Sequence, residues 1–140
     1  MSAFQELFDL TGELARRRYQ AAERSFGALG LNHTEARLLT RLGQEGEAVA
    51  QDALSNGLFV DRTNAGRALQ RLEQAGYLLR RKHEGDKRAN LVLITPKGRK
   101  MVTEIAKLRR RIAETFFGDL AEHEAGMVVA LLRKALPGKI

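Results

Sequence analysis

The stretch "VDRTNAGRALQRLEQAGYLLRRKHEGDKRANLVLITPKG", residues 60–98, decides the fold. Its first part, 60–76, reads as one helix of about fourteen residues, with Asp61 as N-cap and Gly76 as C-terminal stop. A helical turn of about 100° per residue puts Ala65, Ala68, Leu69 and Leu72 on one apolar stripe. Thr63, Arg67, Gln70 and Gln74 then point the opposite way, with Asn64 and Arg71 on one flank. After Gly76 the period changes. "YLLRRKH" and "ANLVLIT" are β-favouring runs separated by "EGDKR", which predicts a hairpin. Thr95 followed by Pro96 is a helix start, a cap and an N1 proline.

Working outward, "AQDALSN" predicts a short helix at about 50–56 stopped by Gly57, and a further helix carries Ala36, Leu38, Leu39 and Leu42, with Thr34 read as its cap. Two short helices joined by a glycine-containing turn, the second with Arg, Asn, Thr and Gln on its outer face, form a helix-turn-helix pattern. Those side chains read base edges or hold phosphates, whereas an ordinary surface helix would carry mostly Glu and Lys. Residues 2–28 show helical periodicity from Phe4 to Phe26, broken by "GALGLN". On the other side a helix spans 96 to about 117, with Met101, Val102, Ile105, Leu108, Ile112 and Phe116 on one stripe. A last helix, with Asp119 as its expected cap, carries Leu120, Val128, Leu131, Leu132 and Ala135.

The expected fold is therefore mainly α with a minor β component: a winged helix-turn-helix domain with long N- and C-terminal helices. One small domain cannot easily bury both terminal stripes, so those helices are expected to pack against a second copy, giving a homodimer. The alternative is an intramolecular bundle. The expected organisation is a single chain, 1–140, with a helical dimerisation region at 1–30 and 96–140 and a DNA-binding winged region at 31–95.

Charge locates the site independently. Residues 61–100 hold eleven Lys or Arg against four acids, a balance of +7, while the other hundred residues hold thirteen of each sign. All the excess charge sits in one forty-residue window, as expected where a polyanion docks. The competing explanation is a solvated basic face. There are no cysteines, which removes disulfides and thiolate chemistry and fits a cytoplasmic protein. No apolar run approaches the ~20 residues that span a bilayer, and the N-terminus lacks a secretory pattern, so no membrane partner is expected. His33, His83 and His123 are scattered, so no metal site is expected. No catalytic Ser/His/Asp set, phosphate-binding glycine loop or carboxylate pair stands at useful spacing, so neither an enzyme nor a cofactor is expected.

"RLEQAGYLLRR" (71–81), "GDKRANLVLITPKGR" (85–99) and the six-residue step from Arg80 to Asp86 resemble the MarR family of bacterial transcriptional regulators. The likeness covers most of the chain and is strongest from about 50 to 99. It implies a homodimer that binds a pseudo-palindromic operator on double-stranded DNA, its two recognition helices in successive major grooves and each wing in a neighbouring minor groove. On this likeness Thr63, Asn64 and Arg67 are candidates for base edges, and Arg71, Arg62 and Gln51 for backbone phosphates. Asp86, Lys87 and Arg88 form the wing tip. Arg88 matches the arginine that enters the minor groove, where narrow A·T-rich tracts concentrate negative potential. Asp86, two residues away, can aim that guanidinium through a charge-assisted hydrogen bond, or it can serve simply as a turn-forming residue. Gly66 departs from the family pattern, which often has Ser or Thr there, and it removes one potential DNA contact.

The likeness also implies a repressor that responds to a small aromatic or anionic effector, bound between the terminal helices and the winged domain. His33, at the start of the second helix, is the candidate that borders this pocket. The family's cysteine-based sensing is excluded here. The alternative function is a winged-helix module contacting RNA or a protein partner without regulating promoters.

Overall fold

The computed structural model describes residues 1–82, 85 and 90–136. In chain order these form α1 (Ala3–Gly27), α2 (His33–Glu45), β1 (Val49–Ala50), α3 (Gln51–Gly57), α4 (Arg62–Gln74), β2 (Leu78–Lys82), β3 (Asn90–Ile94), α5 (Pro96–Phe116) and α6 (Glu122–Ala135). The result is the expected mainly helical winged helix-turn-helix.

α4 forms where its local chemistry dictates. The Asp61 carboxylate accepts from the Asn64 backbone N–H at 2.9 Å and closes the first turn. At the other end Gly76 adopts φ +85°, and Tyr77 N–H donates back to the Leu72 carbonyl at 2.9 Å. That left-handed residue reverses the chain without a Cβ penalty. The apolar stripe of Ala65, Ala68, Leu69 and Leu72 is fully buried. Its Ala68, Leu69 and Leu72 join Leu38, Leu39 and Leu42 of α2, Leu54 of α3, and Leu78 and Val92 of the sheet in one continuous core. Full burial of each such leucine is worth about 2 kcal/mol.

The sheet has three antiparallel strands in the order β1–β3–β2. Leu78 faces Ile94, Arg80 faces Val92 and Lys82 faces Asn90, while β1 places Val49 opposite Val92. Alternation along β2 puts Leu78 in the core and leaves Leu79, Arg81 and Lys82 exposed. β1 is an addition to the expected hairpin: two residues recruited to the free edge of β3.

α5 is anchored onto the end of α4. Thr95 caps α5 by accepting from Gly98 N–H at 3.0 Å, and its hydroxyl donates to the Gly76 carbonyl at 2.7 Å. A Cβ at Gly98 would lie 2.1 Å from the Tyr77 carbonyl oxygen, so the first turn of α5 rests directly on that backbone. This contact gives the glycine of "LITPKG" its physical reason.

Three helix ends differ from expectation: α3 runs through Gly57 to a C-cap at Leu58, and two N-caps change. α2 is capped by Asn32, not Thr34: Asn32 Oδ1 accepts from Glu35 N–H at 2.8 Å and Glu35 Oε1 accepts from Asn32 N–H at 2.8 Å. This reciprocal pair satisfies two free backbone donors, which a lone threonine hydroxyl cannot do. α6 starts after Ala121, not Asp119, because Gly118 at φ +62° and the Leu120-to-Phe117 backbone hydrogen bond draw Asp119 into a turn.

The terminal helices are mostly uncovered. α1 buries only Ala22 and Phe26 near its C-terminus, α5 buries Gly98 and Ile105, and α6 buries nothing. Phe59, in the turn between α3 and α4, is unusual in another way: it is 92% exposed and has φ +55°. No described helix is long and apolar enough to cross a membrane.

Candidate nucleic-acid interface

The outer face of α4 stands clear of the core. Arg62, Thr63, Asn64, Arg67 and Arg71 are all exposed, and they follow one another around the first three turns. The five do not have equal freedom. Thr63 and Arg67 make no side-chain hydrogen bond or ion pair to a described residue. Asn64 is anchored, since its Nδ2 donates to Asp61 Oδ2 at 2.6 Å. To read an adenine edge in two-point fashion it must first release that donor. Arg62 reaches Asp52 of α3 at 3.3 Å, but both side chains are largely exposed, so the pair is weak and easily exchanged for phosphate.

Arg71 is held differently. Its Nε donates at 3.0 Å to Oε2 of Glu35, whose side chain is only 8% exposed, although the guanidinium end stays half in solvent. Gln51, at the start of α3, is half-buried, and its amide oxygen is enclosed without a partner among the described residues. Gly66 sits in open space: a Cβ there would meet nothing within 4 Å. Its choice is therefore not forced by packing.

Behind the reading face, Glu73 of α4 fixes the wing strand. Its carboxylate accepts from Arg80 N–H at 3.0 Å, from Nη2 at 3.1 Å and from Nε at 3.3 Å. These hydrogen bonds lock β2 to α4 and aim the hairpin. Lys97 completes the junction by donating to the Ala75 carbonyl at 2.7 Å, with its ammonium 5.0 Å from the Tyr77 ring centre. Asp86, Lys87 and Arg88 lie outside the described residues, and so does the Asp86–Arg88 pairing; Gly85, between the strands, is exposed.

His33 lies at the α1–α2 junction. Its backbone N–H donates to Glu23 Oε1 at 2.7 Å, and its ring meets Tyr19 edge-on at 5.2 Å. Nδ1 is buried with no partner among the described residues. Burial, and then the positive charges of Arg37, Arg18 and Arg109, pull the imidazole below the ordinary value of 6.5, with Glu23 opposing. Arg37 also braces the helix-turn-helix, donating to the Leu58 carbonyl at 2.7 Å. No group of three or more metal-ligating side chains occurs among the described residues.

Glu35 is the residue that sequence reasoning missed. Its signal was present, since "NHTE" (32–35) places an N-cap residue three before a glutamate. Its link to Arg71, thirty-six residues away, carries no local signal.

Comparison with known proteins agrees with this geometry. The MarR family profile matches residues 31–89, from just before α2 to just before β3. A transcriptional repressor of Escherichia coli, MprA, is 29% identical over 110 residues, covering 78% of this chain and 62% of its own length. This chain thus spans less than two thirds of that relative. A crystal structure of MarR superposes with a TM-score of 0.83 at 25% identity, covering 93% of this chain and 94% of the other. A mutant MarR from E. coli solved with operator DNA shares the fold, with a TM-score of 0.79 at 22% identity and coverage of 98% and 100%. Residues 31–89 thus carry the MarR family match, and the chain shares the MarR fold over almost its full length.

Proposed function

We propose that the protein is a sequence-specific DNA-binding transcriptional regulator that acts as a homodimer and represses its target. The observation that carries this reading is the face of α4: one side is wholly committed to the core, and the other presents Thr63 and Arg67 without a side-chain partner among the described residues, in the forty-residue window whose charge balance of +7 equals that of the whole chain. Thr63, Asn64 and Arg67 read base edges. Arg62 and the donor side of Gln51 hold phosphates, and Arg71 lies at the edge of the same face. Lys87 and Arg88 bring the wing to the minor groove, with Asp86 aiming Arg88; this part rests on the sequence. The operator-bound MarR supports the geometry by its shared fold, and the repressor relative supports the direction of regulation.

Dimerisation accounts for the uncovered apolar side chains of α1 and α6, from Phe4 and Phe8 at one end of the chain to Leu131 and Leu132 at the other. A small aromatic or anionic effector fits the α1–α2 junction. There the His33 Nδ1, without a partner among the described residues, and the nearby Arg18, Arg37 and Arg109 offer a polar, positively charged setting beside the Tyr19 ring.

The test is a mobility shift with the duplex upstream of the gene against a random duplex at ~150 mM salt, where surface electrostatics are screened to about 8 Å. Clear preference for the upstream duplex is expected, and equal binding would refute sequence-specific regulation. Arg88→Ala should weaken operator binding and reduce the salt slope by about one unit.

A further inference from the structure

Glu35 has an environment unlike that of any other acid among the described residues. It is the one buried charged residue of the described core, 6% exposed, and its two carboxylate oxygens serve different elements. Oε1 accepts from the Asn32 backbone and closes the start of α2, while Oε2 accepts from Arg71 of α4. One residue away, the His33 backbone is held by Glu23 of α1. A continuous run of polar contacts therefore joins the terminal helix α1, the first turn of α2 and the helix that carries the reading face. A carboxylate this buried is stable only while both oxygens stay partnered, because a buried acceptor left unsatisfied has lost its hydration with nothing in return.

We propose that Glu35 is a positioning residue for DNA recognition: it fixes the rotation of α4 through Arg71 and ties that rotation to the α1–α2 junction. This deepens the DNA-binding reading and rests on it. It also gives Arg71 a role other than phosphate contact. A half-exposed arginine whose Nε is committed to a buried carboxylate serves as a strut. Arg71 lies three turns along from Asp61, so a strut there acts on the far end of the helix, while Asp61 governs the near end. The orientation of Thr63 and Arg67 then depends on two fixed points. If the α1–α2 junction shifts, Oε2 moves with the α2 cap and Arg71 must follow or lose its partner. That makes Glu35 the point at which a change among the terminal helices reaches the reading face.

The test uses the full chain in three forms: Glu35→Gln, Arg71→Met and the double variant. Gln keeps an N3 side chain able to close the capping box while losing the charge that holds Arg71. Met keeps the apolar stem of Arg71 but leaves Glu35 Oε2 without that partner, so the double variant, which removes the carboxylate charge and the guanidinium together, is the form that folds if either single variant is impaired. Thermal melts check folding, and fluorescence anisotropy measures binding to the upstream duplex and to a random duplex over a salt series. Each single variant should lower the ratio of upstream to random affinity roughly five- to tenfold, with the double variant no worse than either and the salt slope unchanged in all three. The opposite pattern would overturn the proposal. If Arg71 is a phosphate contact, Arg71→Met flattens the salt slope by about one unit, and Glu35→Gln, by freeing the guanidinium, leaves binding unchanged or tighter. Additive losses in the double variant would overturn it equally. A wild-type chain with no preference for the upstream duplex would instead refute the DNA-binding reading itself, independently of how the variants compare.

Discussion

The winged region and the terminal helices solve the same problem in opposite ways. Between Leu31 and Ile94 almost every apolar stripe faces another: α2, α3, α4 and the sheet close around Leu38, Leu42, Leu69, Leu72, Leu78 and Val92. In α1 and α6, stripes of equal regularity face outward. All but two of the exposed large apolar side chains lie in the terminal segments or the turn before α6; the exceptions are Phe59 and Leu79. An apolar pattern alone therefore shows only that a face will be covered. Whether its own chain covers it depends on what else the chain brings near.

The sharpest way to test the contrast is to replace one leucine on each side of it. Leu69→Ala should cost about 2–5 kcal/mol of unfolding free energy, measured by urea denaturation, because it opens a cavity in a closed core. Leu131→Glu should instead leave the secondary structure intact and weaken the proposed dimer at least tenfold by sedimentation equilibrium, since it places a charge on an apolar face that its own chain leaves uncovered. An unchanged association constant would break the comparison from the terminal side. Phe59, the exception inside the closed region, should respond with the opposite sign. Phe59→Gly removes a left-handed non-glycine residue and a fully solvated ring, so a gain of about 1 kcal/mol is expected by the same denaturation method. A loss would show that the ring packs against something in solution.

The smallest effect lies at the seam between the two regions. The imidazole of His33 is held below 6.5 by burial and by the Arg37, Arg18 and Arg109 charges, so the unfolded chain takes up the proton first as pH falls. Below 6.5 the unfolded state thus binds more protons. Stability should be fully present above that value and should decline as pH drops through the lower folded value. His33→Gln should remove that part of the pH dependence of the melting temperature, and an unchanged profile would remove His33 from the seam.

The parts of this architecture that were legible in the sequence were those set by neighbours along the chain. Asp61, Gly76 and the Thr95–Pro96 step marked their helix ends because a cap or a left-handed residue acts within one turn. The stripe of α4 was legible because its period and its burial coincide. β1 was not, since two residues have no period, and they become a strand only by pairing with Leu91 and Val92 some forty residues later. Asp119 misled for the converse reason: a good capping residue was used in a turn instead. At the candidate site, the free side chains Thr63 and Arg67 were readable from their face of the helix. The commitment of Arg71 to Glu35 was not, because that contact exists only once α2 and α4 have packed.

The order of the sheet has a consequence for the life of the protein in a crowded cell. A strand with one unpaired side is a template on which another chain can extend the sheet, the first step toward aggregation. Here β3 is sandwiched, β1 offers only two residues, and β2, the longer open edge among the described strands, exposes Arg81 and Lys82. Two such edges brought together would bring these cations close to one another, which costs stability. The cations at this strand therefore make the wing a poor partner for another wing, and they keep it unpaired without any covering element.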